Sequence, residues 1–299
     1  MASLSEQLAQ AQAALEQERT RVGERHARYV LRLNKLVYLH ILAGQAELAL
    51  PLAQQALELD AALEAGGGAR RATLLNNLAV VHRQLGQPRE ALPCYQEALD
   101  LDRKRLGETH PQYATHLNNL AGLHQEMGLP EEALAFMTQA LEIDRASLGE
   151  GHPQTATHLN NLAALYLQLG RLAEALPLCE RAVALGEKAL GETHPKFATR
   201  LNNLAQLHLE QGRPAQAQPL LERALAIQRA ALGAEHPETA VVLSNLARAH
   251  LRQGRGPEAV SLALQAHAIF ERHLGASHPN TLSTARFLER AKALAHPAA

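Results

Sequence analysis

Histidine and cysteine have the widest chemistry of the residue types here, because both ligate metals and both serve in nucleophilic catalysis. The chain has 299 residues, including 16 histidines. Two histidine series recur in steps of 42 residues. They are His110, His152, His194, His236 and His278, each before a proline, and His82, His124, His208 and His250 in apolar segments. Copies on stacked helices would lie about 10 Å apart, and no cysteine or carboxylate cluster completes a ligand set, so we expect no metal.

The two cysteines, Cys94 and Cys179, give no better support for an enzyme. They fall at non-equivalent positions of predicted helices, and no oxyanion-hole motif accompanies them. The glycine run at 66–68 lacks the Lys-Ser/Thr and the preceding strand of a phosphate-binding loop. We therefore expect no catalytic residue and no cofactor.

Pairs of asparagine indicate binding instead, because a side-chain amide both donates and accepts hydrogen bonds. The phrase "LNNLA" begins at Leu75, Leu117, Leu159 and Leu201, and "LSNLA" begins at Leu243. The first-series asparagines are Asn34, Asn76, Asn118, Asn160 and Asn202, followed by Ser244 and Arg286. The second-series asparagines are Asn77, Asn119, Asn161, Asn203 and Asn245, with Lys35 before them and Phe287 after them.

The elements that position these residues are predicted by the same 42-residue step. Glycine at Gly107 suits the left-handed position that ends a helix, and Pro111 suits the first turn of the next helix. His110 precedes that proline and is expected at the N-cap. Each repeat therefore contains a first helix (A) and a second helix (B), and Gly128 ends an A helix.

The repeat extends over nearly the whole chain and predicts an all-α architecture of about 14 antiparallel helices, seven A and seven B. We expect one solenoid over 1–299, in which "GGGA" at 66–69 replaces the usual His-Pro segment. Its parts are a half-repeat 1–26, repeats 27–68, 69–110, 111–152, 153–194, 195–236 and 237–278, and a C-terminal capping helix 279–296.

Helical phase separates the two asparagines. At 100° per residue, Leu117, Leu120 and Ala121 share the face that packs on helix B. Asn118 lies 100° from Leu117, and Asn119 lies a further 100° round, towards the neighbouring repeat. We interpret the second series as amides that join adjacent repeats. The first series either contacts a ligand or forms a solvated polar face.

These residues resemble the tetratricopeptide repeat. The pattern positions of that family fall on Leu75, Leu78, Ala79, His82, Gly86, Ala91, Tyr95 and Ala98. The 42-residue unit with "LNNLA" and "LGxxHP" is similar to the kinesin light chain type. The resemblance implies a right-handed superhelix whose concave groove is lined by the first-series face. Kinesin light chain grooves hold extended peptides, so it also implies a peptide partner.

The predicted function is therefore non-catalytic binding of an extended partner segment along a concave groove. Four steps of about 10 Å span roughly 40 Å, which matches about twelve extended residues. Gly122 is expected to leave a low floor, and Glu126 and Glu210 oppose binding of an acidic ligand. The candidate site residues are Asn34, Asn76, Asn118, Asn160, Asn202, Ser244, Arg83, Gln125, Gln168, Gln206, Arg248 and Arg252.

Composition excludes other classes. The net charge is −1, so nucleic acid and acidic membrane are not expected partners. No apolar run reaches the roughly 18 residues of a membrane span, and no signal peptide is visible, so we expect the cytoplasm. The alternative function is a scaffold that associates with itself through its terminal helices, 4–22 and 279–295, which carry apolar residues at both ends of the chain.

Overall fold

A computed structural model describes residues 4–63 and 68–295 of the chain. All regular secondary structure in these two stretches is helical, which confirms the all-α prediction. The chain divides into two compact units, Met1–Leu148 (unit 1) and Gly149–Ala299 (unit 2).

Each unit contains seven helices, in which A and B helices alternate. The helices of unit 1 are α1 (Leu4–Val22), α2 (Ala27–Leu42), α3 (Ala46–Ala61), α4 (Gly68–Gln84), α5 (Pro88–Leu106), α6 (Pro111–Glu126) and α7 (Pro130–Ser147). The helices of unit 2 are α8 (Pro153–Gln168), α9 (Leu172–Leu190), α10 (Pro195–Glu210), α11 (Pro214–Leu232), α12 (Pro237–Arg252), α13 (Gly256–Leu274) and α14 (Pro279–Ala295). Within the described residues the count of seven A and seven B helices is therefore confirmed.

The A helix α4 begins at Gly68, one residue before the predicted start of the repeat 69–110. The first and last helices have the predicted ranges, 4–22 and 279–295. Residues 1–3, 64–67 and 296–299 lie outside the described part of the chain, and they include the glycines at 66 and 67 and the predicted end of the capping helix at 296. A single solenoid over 1–299 stays a prediction.

Of the seven A helices in the described residues, five begin at the proline of a His-Pro dipeptide, while α2 begins at Ala27 and α4 at Gly68. His110 has extended backbone geometry, with φ −82° and ψ 139°, and its Nδ1 accepts a hydrogen bond from the Gln112 N–H. This bond satisfies one of the amide donors that have no partner in the first helical turn. The same bond, of 3.0–3.2 Å, occurs at His26, His110, His152, His194, His236 and His278.

Glycine ends the helices for a conformational reason. Gly107 has φ 82° and its N–H donates to the Arg103 carbonyl at 3.1 Å. Gly128 follows the C-cap residue of the A helix α6, with φ 76°, and its N–H donates to the Gln125 carbonyl at 3.1 Å. A residue with a Cβ is strained at such angles, so these glycines fix the points at which the chain reverses direction.

The core of a repeat lies between its A and B helices and is built from leucine and alanine. In unit 1, Ala79 of α4 contributes to a buried cluster with Ala91 and Tyr95 of α5, all fully buried. Alanine allows the two helices to approach closely, and Tyr95 fills the remaining space. In unit 2, Leu201 and Leu221 belong to the corresponding cluster between α10 and α11.

No helix in the described stretches is both long and apolar enough to cross a membrane.

Candidate functional site

The second-series asparagines join neighbouring A helices, as the sequence predicts. In unit 1, Asn77 Nδ2 donates to Asn34 Oδ1 at 2.8 Å, and Asn119 Nδ2 donates to Asn76 Oδ1 at 2.8 Å. In unit 2 the same bond runs from Asn203 to Asn160 at 3.0 Å and from Asn245 to Asn202 at 2.9 Å. Each bond links the second asparagine of one repeat to the first asparagine of the preceding repeat.

This pairing explains why Asn245 remains where the first series has become Ser244. The acceptor of Asn245 is Asn202, which lies in the preceding repeat. Ser244 has no amide to offer to the next repeat, and the donor position there is Phe287. The Ser244 hydroxyl is buried and makes no hydrogen bond within the described residues. Donor and acceptor are thus lost together at the last junction of unit 2.

An arginine fixes the orientation of one of these amides. Arg248 Nη1 donates to Asn245 Oδ1 at 3.3 Å. A guanidinium offers donors only, so the atom of Asn245 that faces it must be the oxygen. The nitrogen of Asn245 is therefore the donor to Asn202. The Asn202 amide must then present its oxygen to Asn245 and its nitrogen elsewhere.

The candidate site residues are distributed over both units. In unit 1, Asn34, Asn76, Asn118, Arg83 and Gln125 are half-buried. In unit 2, Asn160, Gln206, Ser244 and Arg248 are half-buried, Gln168 and Arg252 are exposed, and Asn202 is buried. A cavity of about 290 Å³ in unit 2 brings together Gln206, Ser244 and Arg248. A second cavity, of about 320 Å³, is lined by Arg248 and Arg252.

The floor expected at Gly122 is covered by an arginine. The guanidinium of Arg83 lies 3.2–3.3 Å from the place where a Cβ on Gly122 would be. Arg83 also donates to Glu126 from Nη2 at 2.5 Å and from Nε at 3.1 Å. Burial lowers the pKa of Arg83, but its bonds to Glu126 and Tyr95 outweigh burial and raise it overall. Gly122 therefore seats a side chain of this protein.

The arginines of unit 2 are paired in a similar way. Arg248 Nη2 donates to Glu210 Oε1 at 2.6 Å, and Arg252 lies 3.7 Å from the same carboxylate. The glutamates that we expect to oppose acidic ligands therefore form ion pairs with the candidate-site arginines. No acceptor among the described residues forms a hydrogen bond with the side-chain nitrogen, Nδ2, of four first-series asparagines. These are Asn34, Asn76, Asn160 and Asn202.

Sequence reasoning missed a second set of junction contacts, made by a buried position of the B helices. Asp102 of α5 is fully buried and accepts from Arg105 Nη2 at 3.1 Å. Its Oδ2 lies 3.2 Å from Nδ1 of His116 on the next A helix, α6. Asp60 pairs with Arg70 at the equivalent position. The signal was available, because acids recur at 18, 60, 102 and 144 in steps of 42.

Unit 2 replaces that carboxylate by a glycine. Gly186 of α9 is buried, and the side chain of Arg200 from α10 lies over it. Arg200 is 3% exposed, and no ion pair among the described residues involves it. Its Nη2 donates to the Thr157 hydroxyl at 3.5 Å, and burial lowers its pKa. The later equivalents of Gly186 are Gln228 and Phe270.

The histidines and cysteines behave as packing and capping groups. The described residues contain no group of three side chains able to hold a metal ion. His82 Nδ1 lies 2.8 Å from Gln87 Oε1, while burial lowers the pKa of His208 and His250. Burial also raises the pKa of Cys179 to about 12, so its thiol is not activated as a nucleophile.

A family model matches most of the chain. The model described as tetratricopeptide repeat matches residues 70–146, 114–178, 154–230, 200–272 and 238–297. No match is found among the curated proteins.

Solved structures with the same fold include a close relative in sequence pattern. The chain is 30% identical to a putative kinesin light chain with nearly identical TPR-like repeats from Podosopora anserina, with a TM-score of 0.56, over 69% of this chain and 97% of that chain. BtubC (BKLC) from P. vanneervenii is 24% identical, with a TM-score of 0.64, over 77% of this chain and 92% of that chain. The APC/C assembly Cut9-Hcn1 is 14% identical, with a TM-score of 0.69, over 96% of this chain and 46% of that chain. The last two show the fold alone.

Proposed function

Because the chain belongs to the tetratricopeptide-repeat family, and to its kinesin light chain type, we propose that it binds an extended peptide segment of a partner protein along the face that carries the first-series asparagines. Repeats of this family generally mediate protein–protein interactions and generally form non-catalytic scaffolds. The proposed setting is the cytoplasm, where thiols such as those of Cys94 and Cys179 stay reduced.

One observation carries this proposal: the amide bonds between repeats hold the first-series asparagines at a regular step. Asn34 and Asn76 in unit 1 are each fixed by one bond to the following repeat. Asn160 and Asn202 in unit 2 are fixed in the same way. Side chains that are already ordered lose little conformational entropy on binding. A regular row of ordered amides suits a ligand with regularly spaced polar groups, such as a peptide backbone.

A peptide-display screen tests the proposal. The informative variant is the double substitution Asn76→Asp and Asn160→Asp, because a carboxylate still accepts from Asn119 and Asn203 but no longer donates. Peptides selected on the wild type should bind this variant roughly 30-fold more weakly, since two hydrogen bonds of about 1 kcal/mol each are lost. The measurement is fluorescence anisotropy with each selected peptide.

The matched control carries the same chemical change on exposed B-helix positions, Gln96→Glu and Gln216→Glu. It adds the same two negative charges, so it separates a local effect from a change in net charge. We expect its affinity to stay within about twofold of the wild type. Equal binding by the wild type and the asparagine variant would overturn the proposed groove.

A second function, self-association through the terminal helices, is favoured by a specific observation. In the last helix, α14, Leu282 is 44% and Leu294 is 59% exposed, and beside the first helix Leu48 of α3 lines a cavity together with Gln12 of α1. Leu48 is 56% exposed at a position that holds Glu90 in the next repeat. Light scattering should give the mass of one chain if the peptide-binding function is sufficient. An oligomer that dissociates in Leu48→Glu would favour the scaffold.

A further inference from the structure

We propose that the segment bound by this face is a proline-rich polyproline II helix, recognised through its carbonyl oxygens. This inference rests on the proposed function, because it names the class of partner for the same asparagines. It applies to each unit separately, and in unit 1 the asparagines concerned are Asn34 and Asn76.

The side-chain amides of Asn34 and Asn76 have one atom engaged within the protein and one that remains to contact a ligand. Asn34 Oδ1 already accepts from Asn77, and Asn76 Oδ1 already accepts from Asn119. Within the described residues, no hydrogen bond is made by the Nδ2 atoms of Asn34 and Asn76. One of the two lone pairs on each oxygen is already used, whereas both donors of each NH₂ group are unused. The face therefore presents donors at a regular step.

The second step follows from what donors recognise. On a peptide backbone the acceptors are the carbonyl oxygens, and every residue has one. Proline keeps its carbonyl but has no N–H. A ligand recognised by amide donors alone loses nothing when its residues are proline. A face that also offered acceptors would favour residues with a backbone N–H instead.

The third step is the spacing. Packed helices lie about 8–10 Å apart, so consecutive first-series amides present donors at about that step. A polyproline II helix has three residues per turn and rises about 3.1 Å per residue, which repeats each carbonyl after about 9.3 Å. A β-strand repeats the same side after two residues, at about 6.8 Å, and again at about 13.6 Å. The polyproline II period fits the step, and the strand period does not.

The fourth step is the apolar surface beside Asn34. Leu31, Tyr38 and Leu42 of α2 are 54%, 50% and 54% exposed. They stand three residues before Asn34 and four and eight residues after it, so helical geometry places all four side chains on one face. At the first two of these positions the next A helix has Thr73 and Val80. Exposed aromatic and aliphatic side chains are what proline rings pack against in grooves that bind polyproline II segments.

The experiment uses the full chain and a fluorescein-labelled oligoproline of about twelve residues. Fluorescence anisotropy should show saturable binding to the wild type. Asn76→Asp keeps an acceptor for Asn119 and removes the donor, so the affinity should fall about fivefold, for one hydrogen bond of about 1 kcal/mol. Tyr38→Gln installs the residue found at the equivalent Gln206 and should also cost about tenfold. The control Gln96→Glu, an amide-to-carboxylate change on α5, should stay within about twofold.

The outcomes for this inference and for the proposed function are separable if two display libraries are screened together, one rich in proline and one without proline. Enrichment of the proline-rich library that is lost in Asn76→Asp supports both. Enrichment of only the proline-free library, still dependent on Asn76, keeps the groove and overturns the polyproline II ligand. Oligoproline binding that is unchanged in both Asn76→Asp and Tyr38→Gln also overturns it. No Asn76-dependent enrichment in either library overturns the proposed function itself.

Discussion

The two units use the same amide bond between repeats but fill the buried B-helix position beside it in different ways. In unit 1 that position holds a carboxylate, as in Asp102, which faces His116 of the next helix. In unit 2 it holds Gly186, which lies under Arg200 and has no carboxylate. The amide bonds have nearly the same length in both units, 2.8 Å for Asn119 and 3.0 Å for Asn203.

The difference shows which junction contacts are interchangeable and which must change in pairs. A buried carboxylate needs polar partners, and Asp102 has the guanidinium of Arg105 and the imidazole of His116. A glycine occurs where the opposite residue is as large as Arg200. The amide bond tolerates either choice because it lies between two A helices. Adjacent repeats are therefore joined by a constant contact, the bond between two asparagines, and by a variable contact at the buried B-helix position.

The largest predicted effect is a loss of stability, and it differs between the buried B-helix position of unit 1, Asp102, and the equivalent position of unit 2, Gln228. Asp102→Ala removes a fully buried carboxylate that accepts from Arg105 and faces His116, and it leaves buried polar groups without their partner. We expect the free energy of unfolding to fall by about 3 kcal/mol. Gln228→Ala, at the equivalent position of unit 2, removes a buried amide whose Oε1 has no partner among the described residues. It should cost only about 1 kcal/mol.

Urea denaturation followed by circular dichroism measures both values. Asp100→Ala on the exposed face of α5 is the control for charge and helix propensity, and it should change the free energy of unfolding by less than about 0.5 kcal/mol. Equal losses for Asp102→Ala and Gln228→Ala would contradict a special role for the carboxylate.

The next effect tests whether Gly186 is required only because of Arg200. A Cβ at position 186 would lie 2.9 Å from Arg200 Cδ and closer still to Nη1. Gly186→Ala should therefore cost about 2 kcal/mol by overpacking. In an Arg200→Ala background the same change should stabilise by up to about 1 kcal/mol, because alanine favours a helix over glycine.

A double-mutant cycle on thermal unfolding provides this comparison. Arg200→Ala alone is the reference for the second arm. If Gly186→Ala changes the free energy of unfolding in the same direction in both backgrounds, then Arg200 is not the reason that position 186 requires glycine.

The sequence was sufficient for the elements but not for all of the contacts. The His-Pro dipeptides and glycines predict helix ends because capping depends on local backbone geometry, as at His110 and Gly107. The role of Asn119 was predictable from helical phase. That its partner is the oxygen of Asn76 was not, because phase alone does not orient an amide. The position of the Arg83 guanidinium over Gly122 was not predictable either. Arg83 is a long, flexible side chain on another helix, and the spacing of residues in the sequence does not determine where its end lies.

The smallest predicted effect is a loss of stability in acid that both units share. Burial lowers the pKa of His116 in unit 1 and of His208 and His250 in unit 2. The fold therefore favours the neutral imidazole, and the unfolded chain, with an ordinary pKa of about 6.5, binds protons first. The free energy of unfolding should fall as the pH is lowered through about 6.5, and it should be flat above about 7.5.

Tyr166 provides the matched substitution for this pH dependence, because it holds the same repeat position as His208 and His250. The double substitution His208→Tyr and His250→Tyr removes two titrating groups. The free energy of unfolding should therefore fall less in this variant when the pH is lowered. Urea midpoints at about pH 7.5 and about pH 5.5 measure it. An unchanged decrease in this variant would assign the acid sensitivity to other groups.

The most direct test of the central claim, that adjacent asparagines have separate roles, is to observe their side-chain NH₂ groups by ¹⁵N–¹H NMR. The account predicts slow solvent exchange for Asn77, Asn119, Asn203 and Asn245, and no shift of their signals when a display-selected peptide is added. It predicts faster exchange for the half-buried Asn34, Asn76 and Asn160, and large shifts of their signals on binding. Shifts confined to the second series, or slow exchange of the first series in the free protein, would contradict it.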